Sequence, residues 1–170
     1  MRFLLAWLAC MICMSAVPAF GQTSKQPFTI TISAEAPALK LSPDHYALKA
    51  GSDLFIRVHL TNTSKHPMRL GDDDSGGAVD GMHRYEVRDD KGVAAERWPV
   101  QRAGAASAHP SAPEALKPGA SADVASDRIS GVFDVSQPGK YTIQLSRAID
   151  GDFADGEVKS NAITVTVTAE

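Results

Sequence analysis

The sequence predicts an all-β chain, an antiparallel sandwich or barrel, from three observations. Apolar residues recur with a period of two from Phe28 onward, and clusters of Gly, Pro, Asn and Asp interrupt them at short intervals. No segment of a dozen residues spaces its apolar positions as a helix does with a cap before it. A period of two sends alternate side chains to opposite faces of a strand, so each segment offers one face to a core and the other to water.

The elements follow in order. In FTITIS, Phe28, Ile30 and Ile32 alternate with polar residues, which predicts a strand over 28–33. In LFIRVHLTN, Leu54, Ile56, Val58 and Leu60 alternate with Phe55, Arg57, His59 and Thr61, giving a strand over 53–61. HPMRL supplies a short strand at 67–70. HRYEVR (83–88) places Tyr85 and Val87 on one face, DDKG (Asp89 to Gly92) is a turn signal, and VAAERWPV returns as a strand over 93–98 to complete a hairpin. Strands at 121–126 and 130–135 come next. KYTIQLS and NAITVTVTAE then alternate Tyr141, Ile143 and Leu145, and Ile163, Val165 and Val167, which places strands at 140–147 and 158–168. The stretch 101–121, rich in Ala, Ser, Pro and Gly, reads as a mobile loop inside one domain. Successive antiparallel strands would put the turns at 62–66, 89–92 and 148–157 at one end, so that Asp89 and Asp90 approach Asp150 and Asp152 while 71–82 stands at the other end.

The chain opens with MRFLLAWLACMICMSAVPAFGQ: Arg2, an apolar run from Phe3 to Val17, the helix breaker Pro18, and Gly21 before Gln22. This is the order of a secretory signal, so residues 1–21 are read as a signal peptide and 22–170 as a single domain. As a helix the run reaches only roughly 22 Å against a hydrocarbon core of roughly 30 Å, so no membrane insertion is expected after cleavage. Leu8-Ala9-Cys10 partly matches a lipidation motif, but Trp7 stands where Leu is expected. The expected location is periplasmic or secreted. Cys10 and Cys13 both fall in the signal, leaving the remaining 149 residues (170 less 21) without a thiol or disulfide. Their stability must come from packing.

Seventeen Lys and Arg, less Arg2, face 20 Asp and Glu, a net charge of −4 after cleavage. Such a chain repels phosphate backbones and has no basic run to compensate, so no nucleic acid is expected as partner. The same charge disfavours anionic lipid.

QPGKYTI (Gln137 to Ile143) resembles the corner leading into strand F of immunoglobulin-like domains, with Gly139 making the turn and the Tyr141 hydroxyl bonding back to upstream backbone. LTNTS with HPMRL, YEVRDDKG, LKPGAS, and QPGKYTIQLSR followed by VKSNAITVTV together resemble a family of exported bacterial immunoglobulin-like domains. The same order is similar to the BsuPI-type proteinase inhibitor domain. The resemblance spans roughly Leu54 to Val167 and rests on turn chemistry. It implies an immunoglobulin-like antiparallel β-sandwich of about seven to nine strands, and it transfers no inhibitory residue.

Three chemistries were weighed. Asp74-Ser75-Gly76-Gly77 looks like the nucleophile loop of chymotrypsin-like proteases, but Asp73 stands where a glycine N–H would stabilise an oxyanion, and none of His45, His59 or His66 has the surroundings of a catalytic base. Calcium would suit Asp72, Asp73 and Asp74, yet a twelve-residue loop beginning at Asp72 has Gly76 at the fifth place and His83 where a bidentate Glu is needed. IDGDFADGE offers Asp150, Asp152, Asp155 and Glu157 as a second carboxylate group without a recognised spacing, and Asp150, Asp152 and Asp155 are the metal candidates. The five histidines show no metal-ligand spacing, and Asn62-Thr63-Ser64 is formally a glycosylation sequon that reads more simply as a turn. Phe55 and Trp98 are the best candidates for a contact surface. The expectation is therefore a non-catalytic exported binding module without a cofactor, acting on an unknown protein partner. The alternatives are a proteinase inhibitor and a calcium-binding protein.

If the acidic loops are turns alone, a thermal melt in calcium should match one in chelator within about 2 °C, since an occupied site adds several kcal/mol. Changing Asp72, Asp73 and Asp74 to serine should move the melt by less than about 1 °C; a large fall would restore the metal reading.

Overall fold

The structure, a computed structural model, describes residues 26–70, 83–98, 113–149 and 152–169, with the backbone alone over 152–155. The fold is all-β. The strands are β1 (Phe28–Ala34), β2 (Leu39–Ser42), β3 (His45–Lys49), β4 (Phe55–Asn62), β5 (Met68–Arg69), β6 (His83–Arg88), β7 (Ala115–Leu116), β8 (Ser121–Arg128), β9 (Gly139–Ile149) and β10 (Asp152–Thr168). A single 3-10 turn, Ile129–Gly131, is the helical content among the described residues.

Two sheets meet in one core. The first has the order β1-β4-β8 and is antiparallel throughout; the second runs β2-β3-β10-β9-β6, and β5 with β7 makes a separate two-stranded pair. The inward positions are those the period of two selects: Phe28, Ile30 and Ile32 on β1, Ile56, Val58 and Leu60 on β4, Tyr141, Ile143 and Leu145 on β9, and Ile163, Val165 and Val167 on β10. Each such side chain contributes roughly 1.5–3 kcal/mol by leaving water. The outward partners on β4, Arg57 and His59, stay exposed, so a slip of one residue would exchange the two sets.

Four expectations are corrected by the register. The hairpin β2-β3 was not foreseen, and β3 runs parallel to β10, pairing His45 with Thr164 through Lys49 with Thr168, so the second sheet is mixed. The strands expected at 121–126 and 130–135 are one strand, β8, followed by the 3-10 turn, because Val132 N–H and Phe133 N–H both close onto the Ile129 carbonyl at 2.9 Å. The return strand at 93–98 is instead a strap with isolated bridges. Ala94 bridges to Arg88 and Arg97 to Phe133, so the strap leaves β6 after Ala95. Of the loop expected over 101–121, residues 101–112 lie outside the described residues. The remainder is anchored: Leu116 on β7 is buried, and β8 begins at Ser121.

A fifth correction concerns the ends. β6 is antiparallel to β9 with His83 opposite Arg147 and Arg88 opposite Thr142. The 89–92 turn therefore lies beside the start of β9, and the β9-β10 connection lies at the other end, where β6 begins. Asp89 and Asp90 do not approach Asp152. The missed fact was that β6 pairs directly with β9, a non-local neighbour that a simple up-and-down count cannot supply.

Turn chemistry is local and explicit. Asp89 Oδ1 accepts from the N–H groups of Lys91 (2.9 Å) and Val93 (2.8 Å), and Gly92 adopts φ 78°, a left-handed value that favours glycine. Asn62, fully buried, organises the chain after β4. Its Nδ2 donates to the carbonyls of His66 and Leu116, both at 2.8 Å, and its Oδ1 accepts from Ser64 N–H at 2.9 Å and Ser64 Oγ at 2.8 Å. Both amide hydrogens are committed, so the Asn62-Thr63-Ser64 sequon is a structural turn. Asn62→Ala takes this donor from the buried Leu116 carbonyl, while the carbonyl of exposed His66 keeps Ser64 Oγ at 2.7 Å, and should cost about 1–3 kcal/mol, read as a shift of the urea midpoint at unchanged slope.

Candidate functional site

The residues singled out by sequence fall in four places. Tyr141, nearly buried, donates its hydroxyl to the Gln137 carbonyl at 3.0 Å, closing the corner into β9. Burial raises its pKa first, followed by the charges of Asp134, Asp89 and Asp90. Gly139 is the first residue of β9 and not the turn itself. Its φ lies outside the left-handed region, and an added Cβ would meet nothing within 4 Å, so the corner does not require glycine there.

Phe55 and Trp98, the candidates for a contact surface, are half-buried. Trp98 Nε1 donates to the Ser130 carbonyl at 3.1 Å and its backbone N–H to the Val132 carbonyl at 2.9 Å, so the indole anchors the strap to the 3-10 turn. The large apolar side chains that do stand in water are Leu39, Leu41 and Val93. Asp150 and the GDDDSGG stretch lie outside the described residues, as do the side chains of Asp152 and Asp155, whose backbone belongs to β10. Among the described residues no group of three or more His, Cys, Asp or Glu side chains is arranged to hold a metal ion.

The most concentrated chemistry is buried and was not anticipated. Asp127 on β8 is fully buried between the sheets and accepts a hydrogen bond from the Tyr85 hydroxyl at 2.7 Å. His83 Nδ1 faces the same carboxylate oxygen at 3.5 Å, and Arg147 Nη1 lies 2.7 Å from His83 Nε2. A guanidinium can only donate, so His83 Nε2 accepts and the ring proton sits on Nδ1, toward Asp127. Arg147 also lies over the Phe28 ring at 6.0 Å. Two signals could have revealed this cluster. His83 and Tyr85 share the inward parity of Val87, and Arg147 extends the apolar series Tyr141, Ile143, Leu145 by one charged member.

A second polar group lies on the open face of the first sheet. Register aligns Thr31, His59 and Asp123 across β1, β4 and β8, with His59 Nδ1 at 2.8 Å from Asp123 Oδ1. A hydroxyl, an imidazole and a carboxylate in a row have the composition of a nucleophilic triad. The backbone N–H groups of these strands, however, point along the sheet to their neighbours and not out of its face, so they supply no oxyanion donors above the row. Arg57 draws Asp123 at 3.3 Å and holds Glu35 through its Nε at 2.7 Å. Its own pKa is raised by the Glu35 hydrogen bond first and then by the Glu35 charge.

A groove of about 350 Å³ runs along the outer edge of β6, lined among others by Arg84, Tyr85, Ala95, Arg97, Phe133 and Lys159. Its volume falls in the range of ligand-sized clefts. The Arg97 guanidinium stands 5.4 Å from the Phe133 ring centre, forming one wall. Glu86 and Glu157 also line it, the first held by Arg88 and the second 3.4 Å from Lys159. The edge itself is backbone. Val87 accepts from Ala95 N–H at 2.8 Å on the side away from β9, and strand alternation turns the N–H and C=O of Tyr85 the same way.

No protein-family model matches the chain, and a search of curated proteins finds no match. No helix among the described residues is long and apolar enough to cross a membrane.

Burial, and then Asp127, push the Tyr85 pKa well above its usual value near 10. Its proton is thus held more tightly in the folded chain than in the unfolded one, and the resulting stability is complete below about pH 10 and lost as pH rises above it. Tyr85→Phe should cost about 2–3 kcal/mol at pH 7, because a buried carboxylate loses a donor. It should also flatten the fall in urea midpoint between about pH 10 and 11 relative to the parent. An equally steep fall would show that Tyr85 is not the titrating group.

Proposed function

We propose that this chain is an exported, non-catalytic binding module of immunoglobulin-like architecture that grips a protein partner outside the cytoplasm through the β6 edge groove. The strand orders support the architecture. β1-β4-β8 corresponds to strands A, B and E of such a sandwich, and β3-β10-β9-β6 to A′, G, F and C, with β3 parallel to β10. The Tyr141 to Gln137 bond supports it further. The signal-like segment 1–21 supports export, and the similarity to the BsuPI-type inhibitor domain is taken as one of architecture.

One observation carries the binding reading: a groove of about 350 Å³ lies beside a sheet edge whose backbone groups at Tyr85 point outward. Main-chain groups on a sheet edge recognise extended segments whatever their side chains, and the groove supplies selectivity. The polar clusters support no competing catalytic reading. The Asp127 cluster is enclosed by the core, and the His59 row lacks oxyanion donors above it.

The test is photocrosslinking in intact producing cells from a benzoylphenylalanine placed at Ala94 or Lys159, with Thr31 as the control on the opposite sheet. A discrete adduct from the first two positions and none from the third is expected. Adducts from Thr31 alone would overturn the choice of surface.

A further inference from the structure

We propose that the partner segment is an extended strand with acidic side chains on alternate residues, which adds antiparallel to β6 beside Tyr85. This deepens the reading of the β6 groove and rests on it.

The strap provides the first reason. Ala95 N–H bonds to Val87 at 2.8 Å and Asp89 N–H to Val93 at 2.8 Å, so residues 93–95 already pair antiparallel with the far end of β6. Beyond Ala95 the strap turns away, and Asp134 N–H takes the Glu96 carbonyl at 2.8 Å while Trp98 N–H takes that of Val132 at 2.9 Å. The line the strap would have followed beside Glu86, Tyr85 and Arg84 is the groove. Leu145 confirms the direction of the ladder from the other side. Its N–H is turned to Ser160 Oγ at 3.0 Å, on the β10 side, so the Tyr85-Leu145 pair exchanges no backbone bond and Tyr85 presents its own groups to the groove. An incoming strand would continue the line of the strap for the few residues that β6 leaves open.

Charge selects the side chains. The chain as a whole is net negative, −3, yet the groove is lined by three cations, Arg84, Arg97 and Lys159, against two carboxylates, Glu86 and Glu157. Both carboxylates are already within ion-pair distance of a cation, Glu86 of Arg88 and Glu157 of Lys159. The Lys159 pair is an exposed one, with side-chain exposures of 54% and 33%, and such pairs exchange partners at little cost. The Arg97 guanidinium stands 5.4 Å from the Phe133 ring centre, which fixes a planar, charged group on the groove wall. Strand alternation would bring every second residue of the segment to the outer face, where Arg84 and Lys159 stand in one cross-strand row through Ser146.

The test uses fluorescence anisotropy with the whole exported chain and three labelled peptides of about eight residues. They are alternating Asp-Val, alternating Lys-Val, and Asp-Val with N-methyl groups on alternate amides. The Asp-Val peptide should bind, weaken with added salt, and lose at least about tenfold in affinity in Arg97→Glu and in Lys159→Glu. Two variants are used so that a fold defect in Arg97→Glu, visible in its melt, leaves Lys159→Glu to decide. The N-methylated peptide should not bind. Equal binding of the Lys-Val peptide, or indifference to N-methylation, overturns the inference. If the cellular crosslinks from Ala94 map to a basic or helical segment, the groove reading stands and this inference falls; if they come from Thr31 alone, the groove reading falls with it.

Discussion

A carboxylate with no exposure at all, Asp127, has to be satisfied between two apolar sheets, and much of the remaining geometry follows from that requirement. Removing a charged group from water costs several kcal/mol, recovered only if its hydrogen-bonding capacity is met with good geometry. The groups that face it come from the other sheet: Tyr85 on β6 donates a hydrogen bond, His83 Nδ1 stands 3.5 Å away without a hydrogen bond of its own, and Arg147 on β9 lies behind His83. They can reach Asp127 only if β6 shows its odd-numbered residues to the core and lies next to β9 in the observed register. A one-residue slip would bury Arg84 and Glu86 and strand Asp127. Apolar packing alone tolerates such slips far better, because Val and Ile fit many neighbours. The polar cluster therefore fixes which strand ends the second sheet.

That choice bears on how the sheet edges are protected, since an open edge invites indiscriminate pairing. β1 is sealed by Asn161, which stands in a bulge of β10. Its Oδ1 accepts from Ile32 N–H at 2.8 Å and its Nδ2 donates to the Ile32 carbonyl at 3.2 Å, so a side-chain amide replaces a strand. β2 is only four residues long, carries Lys40 between Leu39 and Leu41, and is bulged between Lys40 and Ser42. β8 is bulged where it faces Val58 and His59. β6 is covered by the strap at one end, and among the described residues no strand pairs with it at Tyr85, where charged side chains of both signs line the groove. Charges flanking a sheet edge discourage indiscriminate pairing, because an approaching strand must first desolvate them.

Much of the architecture was legible from parity alone. The triplets Phe28-Ile30-Ile32, Tyr141-Ile143-Leu145 and Ile163-Val165-Val167 announce their strands and buried faces because each lies on an amphipathic strand with one wet side. β2 and β3 were not legible: Pro37 and Pro43 punctuate them, and the alternation of β2 is only four residues long, with Leu39 and Leu41 both exposed. β3 carries buried Tyr46 and Leu48, two residues of signal in a five-residue strand. Of the site, the walls lie on a legible strand, but the groove arises where the strap leaves β6 for Phe133, a tertiary event without a local signature. Phe55 and Trp98 drew attention as aromatics on outward positions, and the 3-10 turn that half-buries Trp98 was itself read as a strand. Arg147 was the one charge at the end of an apolar series, a clue that points to a buried partner without naming it.

The buried cluster and the open edge are linked through Tyr85. Its hydroxyl is committed to Asp127 inside the core, while its backbone groups face the groove, so the core and the sheet edge are tied through one residue. A loop recruited for binding must be ordered at a cost of about 1–2 kcal/mol per residue in backbone entropy, whereas β6 has been ordered already by folding. The stability of the core and the order of the edge therefore draw on one constraint: weakening Asp127 or the groups that face it should loosen β6 before it unfolds the sheet. Affinity at the groove and protection of the core then decline together, and a loss of one without the other would separate the two roles of β6.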